Sequence, residues 1–399
     1  MTASTDHRYG ERLGLYVDVS YRAVRTREGC RYSTDRAFLL FACRVGSRFR
    51  SLAVFGRREE ASVHADYILP TDVSLVALPH YESLRRVSAV ARVTLGTAAA
   101  FWRGLDRVDA VWVFGPHPLG IALVLLALLR RKRVVLGIRQ DTMAYYRARL
   151  PSPAWAPALL LVTVLDAAYR LLARRVPATI VGEEAARRYG GPRPGLLVMS
   201  VSLVPETAVV EGALERDWSG TIELLSVGRL EPEKAPLLAV EALAALERRL
   251  PGRFRLTWIG RGSLEKAVRE RARALGVAGQ LDLPGYIPFG HELLERYRRA
   301  HLLVHTAVTE GLPQVLLEAH ASALPVVATD VGSVRSALDG GAAGLVVPPG
   351  DREALAEAVL RLVEDANLRA RLVERGLELA RERTLEREAA RAAAFIAGA

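Results

Sequence analysis

Short apolar runs alternate with longer amphipathic segments along the whole chain. In the first half, seven such runs are predicted to be strands: Leu13–Val19, Ser51–Phe55, Ser74–Leu78, Asp109–Phe114, Arg133–Ile138, Ala178–Gly182 and Leu196–Ser202. Segments with helical spacing of apolar residues lie between them, at Arg36–Cys43, Glu82–Phe101, from Leu119 onward, and at Pro157–Ala173. Strands that alternate with helices predict a parallel sheet, in which ligands bind beyond the carboxyl ends of the strands.

The second half repeats this alternation. Its predicted strands are Thr221–Val227, Phe254–Gly260, Leu281–Leu283, His301–Thr306, Pro325–Thr329 and Gly344–Val347. Its predicted helices are Leu264–Leu275, a helix opened by Pro313, Arg352–Glu364, Ala366–Arg381 and Thr384–Ile396. A chain of 399 residues exceeds the size at which one core keeps growing, so two α/β domains are expected. The polar stretch Pro205–Ser219 is the predicted linker. We therefore predict domains at 1–210 and 211–380, followed by a terminal helix at 381–399.

The net charge of +11 belongs entirely to the N-terminal half, because residues 216–399 contain equal numbers of basic and acidic side chains. A basic half suggests phosphate-bearing acceptors, an anionic membrane surface or nucleic acid. Nucleic acid is not expected, because no recognised binding motif is present. The alternative is a compositional bias with solvated faces, since the chain has 52 arginines and 3 lysines.

Two apolar segments raise the question of membrane contact. Leu119–Leu129 is followed by four basic residues, but eleven residues are too few to span a bilayer, which needs ~20. Pro157–Ala173 is longer but contains Asp166 and Arg170. Both are predicted to be buried or amphipathic helices, with a helix lying in the membrane interface as the alternative. Two cysteines and no apolar leader favour a cytoplasmic protein, with peripheral contact at the inner face of the membrane as a further hypothesis.

The stretch 305–321 carries candidate chemistry between two predicted strands. Proline suits the first position of a helix, so Pro313 is predicted to open one. Glu310 then lies in the loop before this helix and Glu318 lies inside it, while Gly311 permits close approach to the backbone. A strand that feeds a helix N-terminus is a natural anion site, here bracketed by two carboxylates. The pattern suggests a ligand with both phosphates and hydroxyls, such as a nucleotide sugar.

A second motif follows the first strand of the C-terminal half. Arg229 and Lys234 lie five residues apart on a strand-to-helix loop that begins at Gly228. Such a pair can reach both phosphates of a diphosphate, with a forked guanidinium and a compact ammonium group. Paired carboxylates could instead indicate glycoside hydrolysis, but a diphosphate clamp has no purpose in such an enzyme.

The stretch E-G-L-P-Q-V-L-L-E-A resembles the signature of the retaining, nucleotide-sugar-dependent glycosyltransferases of family 4, which have the GT-B fold. G-R-L-E-P-E-K-A resembles the G-R-L-x-x-x-K-G loop of the same family, with Ala235 in place of glycine. The resemblance is firm over about 220–399 and only topological over 1–215. It implies two Rossmann-like domains with parallel sheets facing a central cleft, and a last helix that crosses back to the N-terminal domain.

The resemblance also implies roles for residues in the C-terminal half. Glu310 would contact the donor sugar, Glu318 the ribose hydroxyls, and Arg229 and Lys234 the diphosphate. The catalytic residues implied are Glu310, Arg229 and Lys234. The remaining donor-binding residues implied are Gly228, Tyr286, Ile287, Gly311, Leu312 and Pro313. The donor would be a UDP- or GDP-sugar, with no cofactor and no metal, because two cations occupy the electrostatic role of a metal.

The N-terminal half departs from the family pattern. Many members have a histidine after the strand that matches Arg133–Ile138, whereas this chain has Arg139, Gln140 and Asp141. By topology, His117, Arg139 and Asp141 are acceptor-side candidates. Ser33 and Asp35 are further candidates, with helix capping as the alternative. The expected acceptor is a hydroxyl compound, and the basic half favours one that is phosphate-bearing or lipid-linked. The missing histidine leaves a second hypothesis open, a catalytically silent nucleotide-sugar-binding subunit or scaffold.

Overall fold

A computed structural model of the chain describes residues 9–26, 29–59, 66–80, 87–139, 142–149 and 156–399. The N-terminal sheet has nine strands: β1 (Tyr9–Thr26), β2 (Gly29–Thr34), β3 (Phe49–Glu59), β4 (Tyr67–Ile68), β5 (Val73–Leu78), β6 (Ala110–Gly115), β7 (Arg133–Ile138), β8 (Ala178–Val181) and β9 (Leu196–Met199). Seven of them run parallel in the order β5-β3-β1-β6-β7-β8-β9. β2 pairs antiparallel with the second half of β1, and β4 pairs antiparallel with β2.

Helices cover both faces of this sheet. They are α1 (Phe38–Gly46), α2 (Val87–Gly104), α3 (Pro118–Leu129), α4 (Thr142–Arg149), α5 (Ala156–Ala173) and α6 (Glu183–Arg188). Successive residues of β6 face opposite sides, as strand geometry requires. Trp112 packs with Phe38 of α1, whereas Val113 shares a core with Leu123 of α3 and Tyr169 of α5.

The C-terminal sheet is entirely parallel. Its strands are β10 (Ile222–Val227), β11 (Phe254–Ile259), β12 (Leu281–Gly285), β13 (Leu302–His305), β14 (Val326–Thr329) and β15 (Leu345–Val347), in the order β12-β11-β10-β13-β14-β15. The helices are α7 (Pro236–Arg249), α8 (Glu265–Ala274), α9 (His291–Arg299), α10 (Gln314–Ala321), α11 (Val334–Ala337), α12 (Arg352–Glu364), α13 (Ala366–Glu382) and α14 (Leu385–Ala397). Both sheets therefore present the carboxyl ends of parallel strands, where loops form ligand sites.

The chain passes between the domains twice. After the first passage, Arg216 is held on the C-terminal domain, where it donates to the carbonyl oxygens of Ala300 at 2.6 Å and Ala323 at 2.9 Å. On the return, the backbone N–H of Leu385 donates to the carbonyl of Val204 at 2.7 Å. Helix α14 then packs against α1 and buries its alanine-rich face and Ile396 in the N-terminal core.

The first strand was predicted to end at Val19, and this prediction is wrong. β1 continues to Thr26 and pairs with β2, so the N-terminal sheet is mixed rather than purely parallel. Tyr21 is buried, and Arg22 is stabilised by Glu59 of the neighbouring strand, with its Nε 2.6 Å from the carboxylate. Arg22 thus has a carboxylate partner that only the folded sheet brings near.

Two predicted helices also differ in their boundaries. α1 begins at Phe38 rather than Arg36, and its N-cap is Ala37 without a side-chain cap. α2 is described from Val87, so the predicted start at Glu82 lies outside the described residues. α3 and α5 are partly buried helices that also expose apolar residues to solvent. Within the described part of the chain, no helix is both long enough and apolar enough to cross a membrane.

Candidate active site between the two domains

A cavity of about 440 Å³ lies between the carboxyl ends of the two sheets. Loops of both domains line it. The N-terminal domain contributes Asp35, Arg36, Ala37, Asp66, Tyr67 and Leu203. The predicted donor residues Gly228, Arg229, Tyr286, Ile287 and Glu318 line it from the C-terminal domain. Residues predicted from separate motifs are therefore brought to one cleft.

Close backbone packing fixes the loop that carries Arg229. A Cβ at Gly260 would lie 1.9 Å from the carbonyl oxygen of Gly228, and one at Gly262 would lie 2.3 Å from that of Leu230. The indole N–H of Trp258 also donates to the Gly228 carbonyl at 2.9 Å. The loop after β10 can lie this close to the loop after β11 only because glycines occupy these positions.

The two cations of this loop already have carboxylate partners. Arg229 Nη2 donates to Glu233 Oε1 at 2.7 Å, and Glu233 is buried whereas Arg229 is half-exposed. Lys234 Nζ contacts Glu310 Oε1, which joins the two motifs across 76 residues of sequence. His305 Nε2 lies 3.2 Å from the same carboxylate oxygen. The two motifs are thus coupled electrostatically through the contact of Lys234 with Glu310.

The charge state of Glu310 follows from these neighbours. Burial by itself would raise the pKa of the carboxyl group, but Lys234 and His305 outweigh burial and lower the pKa to about 2. Glu310 is therefore ionised at neutral pH although its side chain is only 11% exposed. A fixed negative charge lies at the cleft.

Ala235, which replaces the family glycine, adopts a left-handed conformation with φ of 45°. It is the N-cap residue of α7, and Pro236 is the first helical residue. The hydroxyl group of Thr306 donates to the carbonyl of Lys234 at 3.0 Å. The loop keeps a glycine-type conformation without a glycine, which costs an L-residue about 1–2 kcal/mol.

Glu318 lies on α10, which begins at Gln314, so Pro313 is the N-cap rather than the predicted first helical residue. The carboxylate accepts a hydrogen bond of 2.6 Å from the hydroxyl group of Tyr297. Burial raises the pKa of Glu318 to about 7, against the opposing effect of Tyr297. Leu316 and Ala319 are buried, while Val315 is only partly buried and lines the cavity.

The backbone of Gly311–Pro313 is held from both domains. Gly332 has φ of +52°, and a Cβ there would lie 2.0 Å from the carbonyl oxygen of Glu310. The N–H of Ser333 donates to the Gly311 carbonyl at 3.1 Å. Leu312 is partly buried and packs against the cores of both domains. The loop that carries Glu310 therefore has little room to move.

The Tyr286–Ile287 segment meets the N-terminal domain across the cavity. The hydroxyl oxygens of Tyr286 and Tyr67 are 3.4 Å apart, and the N–H of Phe289 donates to the Tyr67 hydroxyl at 2.8 Å. Tyr286 remains 44% exposed. The aromatic ring of Tyr286 and the apolar side chain of Ile287 thus line the cavity, where they can contact a planar group.

On the N-terminal side, His117 is the N-cap residue of α3. Its Nε2 lies 3.5 Å from Asp18 Oδ2, and the hydroxyl group of Tyr169 donates to its carbonyl oxygen at 3.0 Å. Burial lowers the pKa of His117, although Asp18 opposes this effect. The predicted loop histidine therefore lies at the carboxyl edge of the sheet, beside a carboxylate.

Arg139 follows β7 and extends over the ring of Phe38, with its guanidinium carbon 4.5 Å from the ring centroid. The residue is exposed to solvent. Partial desolvation of the guanidinium group, together with the charge of Arg36, lowers the pKa of Arg139 to about 10. Arg139 thus stays positively charged at neutral pH and accessible to an anion.

The other acceptor-side candidates are placed differently. Ser33 is fully buried on β2 and offers no surface to the cleft. Asp35 is exposed and lines the cavity. The capping alternative for both residues is wrong, since Ala37 is the N-cap of α1 without a side-chain bond. Asp141 lies outside the described residues.

Sequence reasoning missed three side chains at this site. His305, which neither motif includes, lies beside Glu310. Glu233 pairs with Arg229, and Tyr145 of α4 lines a small pocket with Arg229, Lys234 and Glu310. The i,i+4 spacing of Arg229 and Glu233 could have revealed their pair. His320 is buried, with Nε2 3.1 Å from the Ala343 carbonyl. Among the described residues, no three His, Cys, Asp or Glu side chains form a potential metal site.

Residues 217–379 match the family model of the glycosyl transferases group 1. The matched residues span the C-terminal domain. The group 1 domain also resembles curated relatives: D-inositol 3-phosphate glycosyltransferase of Frankia alni is 38% identical over 37% of this chain and 38% of that protein. Glycogen synthase of Mycobacterium tuberculosis is 35% identical over 38% of this chain and 36% of that protein. The matches span less than two fifths of the length of these relatives.

The fold of the whole chain, beyond the group 1 domain, is that of solved GT-B glycosyltransferases. WaaG, a glycosyltransferase involved in lipopolysaccharide biosynthesis, superimposes with a TM-score of 0.70 at 17% identity, over 97% of this chain and 100% of WaaG. Anabaena HepE in complex with UDP gives a TM-score of 0.68 at 15% identity, over 98% and 100% of the two chains. The predicted fold class, two Rossmann-like α/β domains of the GT-B type, is confirmed.

Proposed function

We propose that this chain is a retaining glycosyltransferase that moves a hexose from a nucleotide-diphosphate sugar to a hydroxyl acceptor. One observation carries the proposal: Arg229 lines the cavity between the domains together with Glu318, and it also lines a small pocket together with Lys234 and Glu310. The group 1 family match and a UDP complex of a protein with the same fold support a nucleotide-sugar donor.

The donor would lie along the C-terminal side of the cleft. Arg229 and Lys234 bind its diphosphate, and Glu318 accepts hydrogen bonds from the ribose hydroxyls. Tyr286 and Ile287 border the base. Glu310 contacts the sugar beside the backbone of Gly311, Leu312 and Pro313. UDP and GDP are the candidate nucleotides.

The proposed reaction breaks the bond between the anomeric carbon and the diphosphate oxygen, and the electron pair leaves with the diphosphate. The acceptor oxygen bonds to the same face of the sugar, and its proton passes to the departing diphosphate. Arg229 and Lys234 stabilise the negative charge that grows on the leaving group. Glu310, ionised at neutral pH, stabilises the positive charge on the sugar. The two cations allow transfer without a metal ion.

The acceptor would bind the N-terminal side of the cleft, near His117 and Asp35. Arg139 lies above Phe38, where its guanidinium can pair with an anion. One relative is named for an acceptor that carries a phosphate, D-inositol 3-phosphate. We therefore propose a phosphate-bearing or lipid-linked hydroxyl acceptor, and a cytoplasmic location with peripheral contact at the inner membrane face.

The test is a panel of UDP-, GDP- and dTDP-sugars, with donor consumption and product anomer followed by NMR. Retention of the anomeric configuration and undiminished turnover in EDTA are expected. Each charge-assisted hydrogen bond contributes about 1.5–3 kcal/mol, so R229A should lose at least tenfold in kcat/KM. R335A, at an exposed arginine paired with Asp330, is the matched control.

Undiminished transfer by R229A and K234A would overturn the proposed site. Inversion of the anomeric configuration would overturn the mechanism while leaving donor binding in place. Tight donor binding by calorimetry, with no turnover on any acceptor, would favour the catalytically silent subunit, for which Arg139 at the family's histidine position is the motivation.

A further inference from the structure

The outer layer of the N-terminal domain carries a cluster of exposed apolar side chains that we call the apolar face. Its members lie on α2, α3 and α5 and are 41–72% exposed: Leu95, Leu125, Leu128, Leu129, Leu160, Leu161, Val164 and Leu171. They are eight of the thirteen large hydrophobic residues that are exposed in the described part of the chain. Single exposed leucines are ordinary, but a concentration on one layer of helices is not.

Helix α5 shows that this exposure follows from the orientation of the helix. Leu160, Leu161, Val164 and Leu171 share its outward side at spacings of one, three and seven residues. Asp166, the acidic residue of α5, turns toward the protein and accepts a hydrogen bond of 3.2 Å from the Tyr189 hydroxyl group. Tyr169 and Ala173 on the inward side of α5 join the core, so this helix is apolar on its outward side as well as on its inward side, unlike a helix that covers a core and faces water.

Helix α3 repeats the arrangement. Its inward side carries Leu119, Leu123 and Val124, whereas Leu125, Leu128 and Leu129 face outward. The apolar residues on both sides explain why this helix has little amphipathic character in its sequence. α2, α3 and α5 pack on the same face of the sheet, so their outward sides form one surface.

Exposed arginines border this surface at one end. α2, α3 and α5 each return the chain to the start of a parallel strand, so their C-termini lie at the same edge of the sheet. The exposed arginines at these ends are Arg103, Arg107, Arg131, Arg174 and Arg175. Basic residues at helix C-termini also offset the helix macrodipole, but that role would not require apolar outward faces beside them.

We propose that the apolar face docks on an anionic membrane surface, with its leucines in the boundary between headgroups and acyl chains and its arginines at the level of the lipid phosphates. Apolar residues beside basic ones are the composition of helices that lie in this boundary. A second copy of the chain fits less well, because it would present the same arginines rather than the negative charge that complements them.

The docking does not depend on the proposed transferase activity. It would, however, orient the cleft, because α3 begins at His117 on the cleft side and ends at the arginine border. The helix layer would then lie along the bilayer, and a lipid-linked acceptor could reach the cleft without leaving the membrane. The apolar face thus adds to the proposed function the direction from which the acceptor would enter the cleft, which is the membrane.

The test is co-sedimentation of the full chain with vesicles of phosphatidylcholine alone or mixed equally with phosphatidylglycerol, without donor. The wild type should bind the anionic vesicles at least tenfold more tightly. L129S/L161S should weaken this binding at least tenfold. R174A/R175A should lose about fivefold per arginine, with a shallower salt dependence.

Two matched controls lie on the C-terminal domain, at the end of α7. L250S removes a leucine that is 40% exposed, and R248A/R249A removes an exposed arginine pair at a helix C-terminus. Both should bind vesicles as the wild type does. Unfolding midpoints of all variants should stay close to the wild-type value, because every substituted side chain is on the surface.

Three outcomes would overturn the proposal. The wild type could fail to sediment with either vesicle. L129S/L161S could bind as tightly as the wild type while L250S does not. Light scattering could show a dimer in solution that L129S/L161S converts to a monomer, which would assign the apolar face to a second copy of the chain.

Discussion

Replacing Lys234 with methionine would leave the carboxylate of Glu310 buried, with His305 as the remaining one of its two partners. In the wild type, the pKa of Glu310 is lowered from 4.5 to about 2, and at about 1.36 kcal/mol per pH unit this is worth about 3 kcal/mol. Because the pKa is lowered in the folded state, this stabilisation is complete above pH 4.5 and is lost as the pH falls toward 2.

In K234M the effect of burial on Glu310 is opposed by His305 alone. We expect K234M to unfold at pH 7 with a free energy about 3 kcal/mol lower than the wild type, since the variant leaves a buried charge poorly compensated. Protonation of Glu310 removes that charge, so the deficit should shrink as the pH is lowered toward 5. Urea unfolding at pH 7 and pH 5 measures both quantities.

The double variant K234M/E310Q is the control, because it removes the uncompensated charge at neutral pH. It should recover most of the lost stability at pH 7 and show no narrowing of the deficit at pH 5. Equal deficits in K234M and K234M/E310Q would refute the electrostatic account and assign the effect to lost packing of the lysine stem.

Three further substitutions test other features of the site. A235G should raise the free energy of unfolding by up to about 1 kcal/mol, and with it the unfolding midpoint, because glycine adopts the left-handed conformation at this position without strain. The wild type should become more stable as the pH falls from 8 to 5, because the raised pKa of Glu318, about 7, makes the folded state bind a proton more readily than the unfolded state. E318Q should lack this gain in stability. G332A should lose about 1–3 kcal/mol and weaken donor binding measured by calorimetry, because its Cβ would meet the Glu310 carbonyl.

The C-terminal half was predictable because local pattern and tertiary role agree there. The run Phe254–Gly260 forms a strand in the interior of the sheet, and its alternate residues Phe254, Leu256 and Trp258 are buried in the core of the domain. The two motifs lie directly after strands, so topology alone brings Arg229 and Glu310 to the same edge of the sheet. The contact of Lys234 with Glu310 was not predictable, because it depends on two loops 76 residues apart.

The N-terminal half was harder to predict for a physical reason. Arg22 and Arg57 look like residues of a solvated loop, but each has a carboxylate partner on a neighbouring strand, Glu59 and Asp18 respectively. The strand propensity of a residue type carries no information about such partners on neighbouring strands. Ser33 illustrates the opposite error, since a residue typical of helix caps is fully buried in β2.

The pairing of Arg229 with Glu233 has a consequence for turnover. A diphosphate that takes the arginine competes with a carboxylate of the same loop, held four residues away on a nearly buried side chain. In the proposed site, Glu233 therefore competes with the leaving diphosphate for Arg229. This competition weakens the binding of the substrate and product nucleotides alike. We expect a site of this kind to favour rapid exchange of nucleotides over tight retention, so that the spent diphosphate departs as Glu233 reclaims its partner.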